Sequence, residues 1–114
     1  MRITAANMGP GMVVQADEAT TYVVTCISHG GPGLVSVGLR PDDGDEIQVT
    51  MLSDSDVTVT NDYNEPLYTI GQSAVIDGVA GTVYSVSVTP YGDLLVSLEL
   101  TGTGKMIETF YVRR

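Results

Sequence analysis

Three observations predict an all-β chain. Apolar residues nowhere recur at helical spacing over three turns. They alternate instead in short runs, as in Leu34-Val35-Ser36-Val37-Gly38-Leu39 and Leu95-Val96-Ser97-Leu98-Glu99-Leu100, which is the period of a strand with one buried face. Turn chemistry interrupts these runs every eight to twelve residues or so, the rhythm of an antiparallel sandwich or barrel.

The two quoted runs echo each other, and the echo extends along the chain. Gly11 aligns with Gly71, Val23-Val24 with Val83-Tyr84, and Ile47 with Ile107, at a spacing of about sixty positions with a slip of one at the middle turn. The chain therefore reads as two copies of a small β-module, residues 8–60 and 70–114, joined by a polar, acidic connector over 61–69. At 114 residues in total, each half is near the lower size limit of a lone domain, so the halves are expected to dock tightly or share one core.

Taken in order, Met8-Gly9-Pro10-Gly11 is a turn cluster that opens the first module, and Met12-Val13-Val14 is a short apolar run. Residues 21–28 are β-branched and read as a strand in which Tyr22, Val24 and Cys26 share a face. His29-Gly30-Gly31-Pro32-Gly33 reads as a hairpin connection, since its glycines are free to take positive φ. Residues 34–39 form the next strand, with Val35, Val37 and Leu39 inward, and Asp43-Gly44 is a favoured hairpin dipeptide. Residues 46–52 alternate Ile47, Val49 and Met51 against Gln48, Thr50 and Leu52, and Val57-Thr58-Val59 is a last short strand. In the second module, residues 71–76 lead to an Asp77-Gly78 turn, Gly81 precedes the strand 82–88, and Pro90-Tyr91-Gly92-Asp93 turns into residues 94–100. Thr101-Gly102-Thr103-Gly104 then leads to the strand 105–112.

Composition excludes several classes of function. The balance of 14 acidic against 5 basic residues, a net charge of −9, repels a phosphate backbone, so no direct nucleic-acid binding is expected. No run reaches bilayer-crossing length and no charged, apolar leader opens the chain, so neither a membrane span nor export is expected. The single cysteine, Cys26, excludes an internal disulfide and is expected to be a small buried hydrophobe. His29, the only histidine, is expected in an exposed loop without a Ser or Cys partner, and a Cys26/His29 pair falls short of the four donors of a zinc site. Gly30-Gly31-Pro32-Gly33 lacks the Lys-Ser/Thr ending of a phosphate loop and precedes a strand. No catalytic residue, metal site or cofactor is assigned, and the chain is expected not to be an enzyme.

Eight of the 14 acids fall within residues 42–65: Asp42, Asp43, Asp45 and Glu46 in one turn, then Asp54, Asp56, Asp62 and Glu65 in and near the connector. Asp54-x-Asp56-x-Thr58 lacks the glycine and late acid of a calcium loop. With Tyr63 and Tyr68, whose amphipathic rings suit contact anchors, these acids form the candidate surface for a protein partner.

The second half compresses to Gly71-x4-Ile76-x-Gly78-x2-Gly81-Thr82-Val83-Tyr84, then residues 95–100 and 107–112. This resembles the small five-stranded SH3-like barrels, including Tudor-like and KOW-like modules, over 70–112 and more loosely over 10–59. The resemblance implies two tandem small SH3-like antiparallel barrels, or one core shared between them, and it transfers no functional residues. It departs from peptide-gripping and methyl-lysine-reading members, whose grooves and cages are aromatic, because this chain has no Trp and one Phe. The short, acidic chain rich in Gly, Thr and Val also resembles small proteins of actinobacterial viruses. That resemblance implies a virion accessory of the capsid-decoration or head–tail type, able to form homo-oligomers, in a virion or the cytoplasm of a bacterial host. The alternative is an acidic effector that binds a basic host protein as a DNA mimic.

Overall fold

The alternating runs fold as ten strands in the computed structural model, which describes residues 1–15, 19–62, 68–100 and 106–113. The strands are β1 (Arg2–Thr4), β2 (Val13–Gln15), β3 (Thr21–Gly31), β4 (Leu34–Pro41), β5 (Ile47–Leu52), β6 (Asp56–Val59), β7 (Ser73–Ile76), β8 (Val79–Val88), β9 (Leu94–Leu100) and β10 (Ile107–Val112). A single 3₁₀ turn, Ala5–Asn7, follows β1. Every pairing is antiparallel. The protein is all-β, and hydrogen bonding runs through one sheet of ten strands that includes both modules.

Two turns, one in each half, match at the level of individual hydrogen bonds. Gly9-Pro10-Gly11-Met12 and Thr69-Ile70-Gly71-Gln72 are matching turns, closed by Met12 N–H donating to the Gly9 carbonyl at 3.2 Å and Gln72 N–H to the Thr69 carbonyl at 3.1 Å. The third residue of each is a glycine at φ 97° or 86°, a conformation that penalises a Cβ. Gly11 N–H then donates to Val24 and Gly71 N–H to Val83, at 2.9 and 3.0 Å, while Val24 and Val83 N–H return to the carbonyls of Met12 and Gln72, both at 2.8 Å.

Each long strand carries a bulge at the same place, between Val24 and Cys26 in β3 and between Val83 and Ser85 in β8. An extra residue reverses the alternation beyond it. Val24 and Ile27 therefore both enter the core, as do Val83 and Val86, all at most 2% exposed. Cys26 does not share the face of Val24, as strict alternation predicts; it lies half-buried on the opposite face. The bulges also fix the register of the echo. Val24 pairs with Leu39 and Val83 with Leu98, so Leu39 matches Leu98, two residues from the register that the repeated letters suggest. A shift of two preserves the facing of every side chain, so alternation alone cannot detect it. Accordingly Leu94, Val96 and Leu98 are buried, and Leu100 is only partly so.

The halves join along β3 and β8, where Cys26 pairs with Ser87, Ile27 with Val86 and Ser28 with Ser85. Counting from the bulges, Cys26 matches Ser85, Ile27 matches Val86 and Ser28 matches Ser87. The seam thus maps onto itself when the copies are exchanged, which is the pattern of a two-fold, isologous contact. Ile27 and Val86, 0% and 2% exposed, sit at its centre. Buried residues of both halves form one hydrophobic cluster, from Ala5 and Met8 through Val37 and Val96 to Phe110.

Other expectations change at the element ends. Residues 2–4, which fall outside the first module as bounded at residue 8, are a strand paired with β6, and Ala5 behind them is fully buried. His29 belongs to β3, whose hairpin turn is only Pro32-Gly33, with Gly33 at φ 70°. Asp77 and Gly78 both take positive φ, 52° and 80°, as a type I′ hairpin turn requires. Gly44 has no positive φ, and the β4–β5 connection is a longer loop over 42–46. Gly81 lies inside β8, where a Cβ would stand 2.7 Å from the Glu99 carbonyl oxygen.

Truncating a fully buried leucine leaves a cavity, so Leu98→Ala is expected to cost about 2–5 kcal/mol. Leu100→Ala, at a half-buried position, should cost clearly less. Denaturant unfolding of both variants checks this, and equal losses would contradict the bulge-shifted register.

Candidate functional site

Asp42, Asp43, Asp45 and Glu46 are all exposed on the β4–β5 loop, and Asp54 and Asp56 are exposed beyond the other end of β5. A six-residue strand at ~3.4 Å per residue is about 20 Å long, so the acids form two groups at opposite ends of one strand. Asp62 is exposed beside Asn61, whose side-chain oxygen accepts the Val13 N–H at 2.9 Å and whose amide donates to the Gly11 carbonyl at 3.3 Å. Tyr63 and Glu65 lie outside the described residues. Tyr68 is partly buried against the hydrophobic cluster, which ties the end of the connector to the core. Among the described residues no three His, Cys, Asp or Glu side chains converge as metal ligands.

Glu46 is the one acid of these groups that turns back over the sheet. Thr25 Oγ1 donates to its Oε1 and Gln48 Nε2 to its Oε2, the latter at 2.9 Å. Thr25 Oγ1 and Gln48 Nε2 each also approach Cys26 Sγ at 3.9 Å. This cluster exists because residue 38 is glycine: a Cβ there would stand 2.5 Å from Thr25 Oγ1 and 2.7 Å from Cys26 Sγ. The matching place in the second module is filled differently, by Ser97 and Thr109, whose hydroxyls are 2.8 Å apart.

A row of small polar residues crosses the sheet through the seam, on the face opposite Ile27 and Val86. Thr50, Ser36, Ser28, Ser85, Ser97 and Thr109 lie in register across β5, β4, β3, β8, β9 and β10. At the next position along the seam, the rings of His29 and Tyr84 meet edge-to-face, with centroids 5.7 Å apart. His29 is therefore a packing partner of Tyr84. Strand alternation missed this contact because it spans the two modules.

Two open-sided clefts among the described residues flank the sheet. One, of about 280 Å³, is lined by Met8, Tyr22, Leu39 and Met51 together with Gln15 and Asp56. The other, of about 260 Å³, lies against His29, Tyr84, Thr82 and Glu99. Both fall short of the ~300–1,000 Å³ usual for small-molecule sites.

The most distinctive surface is a pair of strand edges. β5 pairs only with β4, and β10 only with β9. Of the nine large hydrophobics exposed among the described residues, five lie on or beside these edges: Ile47 (45%), Leu52 (59%), Met106 (61%), Ile107 (45%) and Tyr111 (51%). No residue of β5 or β10 is Pro or Lys, residues that commonly blunt an open edge. Arg113 is exposed just past β10, whereas acids flank β5 at both ends. Charge and tyrosine content in the sequence do not point to these edges, because only tertiary pairing decides which strands are terminal. Comparison with protein-family models, curated proteins and solved structures finds no match to this chain.

Tyr111 closes the outer face at this edge by donating its hydroxyl hydrogen bond to Asp93. That bond, together with partial loss of hydration and the carboxylate's charge, raises the phenol above its ordinary 10.0. A raised pKa means that the contribution to stability is fully present below the unfolded value and is lost as pH rises through the folded one. Ultraviolet titration should show a phenol ionising above the ordinary value of 10.0, and Asp93→Asn should remove that late phase. An unchanged titration in that variant would contradict the pairing.

Proposed function

We propose that this chain is a non-enzymatic interaction and structural module, of the kind that decorates a capsid or joins a head–tail assembly, in a virion or the cytoplasm of a bacterial host. The observation that carries this reading is the pair of open, apolar-studded edges on β5 and β10. An exposed edge is a template for another strand. In the first module, β2 to β5 form a meander and β6 returns beside β2 at its other side, which supports the small-barrel resemblance. Its partner is a protein surface, with no direct role for nucleic acid, membrane or cofactor. A second reading, an acidic effector that occupies a basic protein cleft, draws on the exposure of every described acid from Asp42 to Asp62.

Light scattering after size-exclusion chromatography, at low and high salt, beside a pull-down repeated with an Ile47→Asp/Ile107→Asp double variant, tests the reading. Assembly, or capture of a protein that the double variant loses, is expected. A lone monomer that retains nothing would contradict it. Capture that vanishes at high salt but survives in the double variant would favour the acidic effector.

A further inference from the structure

We infer that the partner of these edges is a second copy of this chain, with β10 of one copy adding antiparallel to β5 of the next. The inference deepens the structural reading above and rests on it. Backbone parity supplies the first argument. Leu100 N–H donates to the Met106 carbonyl at 2.8 Å and Ser53 N–H to the Gly33 carbonyl at 2.9 Å. Residues at alternate positions from Met106 and Ser53 therefore turn their backbone groups inward, to β9 and β4. This leaves Ile107, Thr109 and Tyr111 on one edge, and Gln48, Thr50 and Leu52 on the other, with donors and acceptors facing outward.

Side-chain parity agrees. On β10, Phe110 is buried and Val112 half-buried; on β5, Val49 and Met51 are half-buried, so these residues mark the core face of each edge. Setting Ile107 against Leu52, Thr109 against Thr50 and Tyr111 against Gln48 matches outward-facing backbone groups at every pair. The same register places Phe110 against Val49 and Val112 against Ile47, so core face continues into core face. One register satisfies both constraints over the full six residues of each strand.

Charge chooses between copies arranged head-to-tail and copies related by a two-fold axis. In the register above, Arg113 stands opposite Glu46. Pairing β5 with β5 in the same outward phase sets Asp54 opposite Glu46. Pairing β10 with β10 about Thr109 sets Ile107 opposite Tyr111 and Glu108 opposite Phe110, so no acid meets a base within the strand. One symmetric pairing sets like charges against each other and the other gains no ion pair, whereas the mixed pairing gains one, which favours it. The contact is therefore heterologous, and repetition gives an extending ribbon or a closed ring.

The test uses a Cys26→Ser background and two separate variants, Leu52→Cys and Ile107→Cys, mixed and oxidised. Hydrogen-bonded antiparallel pairs lie ~5.5 Å apart at Cα, within disulfide reach. A mixed disulfide should predominate over both homodisulfides. Thr50→Pro, which removes an outward N–H and no ladder bond to β4, should keep the circular dichroism of the parent and reduce the scattering mass to that of one chain. Arg113→Glu should weaken assembly, most at low salt. Homodisulfides in equal yield, or assembly unchanged by Thr50→Pro, would overturn this pairing while leaving a structural role standing. A parent chain that is monomeric at every concentration would overturn it as well, and the pull-down above then judges the wider reading separately.

Discussion

The rest of the structure depends on the antiparallel pairing of β3 with β8 around Ile27 and Val86. Each module alone is too small to bury much apolar surface. Joining equivalent strands lets one hydrophobic cluster extend from Met8 and Met12 to Leu98 and Phe110. The seam is short, three residue pairs, yet it lies within the longest strands, each already held along its other edge by β4 or β9. Loss of these pairs would expose Ile27 and Val86 together with edges that nothing else covers.

The two bulges make this seam possible. Without the extra residue in β3, Val24 and Ile27 could not both face inward, and the strand would turn one of them to solvent. The same reversal puts Cys26, Ser28, Ser85 and Ser87 outward, so the sheet is polar over the seam and apolar beneath it. Gly38 and Gly81 then serve different needs at their places. Gly38 makes room for Thr25 and Cys26, and Gly81 lets β9 approach. The two halves differ in side chains while sharing backbone geometry: Gly38 with Gln48 in one corresponds to Ser97 with Thr109 in the other.

Much of the fold was legible because alternation and turn chemistry are local. Val35, Val37 and Leu39 face the core as their period demands, and Asp77-Gly78 adopts the turn its letters favour. Features set by non-local pairing were not legible. A bulge is invisible to a period-two reading, although the spacing of Val24 to Ile27, repeated in Val83 to Val86, carried its signal. The N-terminal strand was missed because Arg2-Ile3-Thr4 has no pattern of its own and is defined by its pairing with β6. The candidate surface fared similarly. The acids of the β4–β5 loop are exposed as turn residues should be, but their separation from Asp54 and Asp56 by the length of β5 required the fold. Which strands end the sheet, and so which apolar side chains are left over, is a property of topology alone.

The central claim is that the two copies form one sheet through the seam. Amide hydrogen exchange on the intact chain tests it most directly. Amides of β3 and β8 that bond across the seam are predicted to exchange only through global unfolding, as slowly as those of β4 and β9 in the core. Rapid exchange at the seam, with the interiors of both modules still protected, would contradict the account and leave two independent units on a connector.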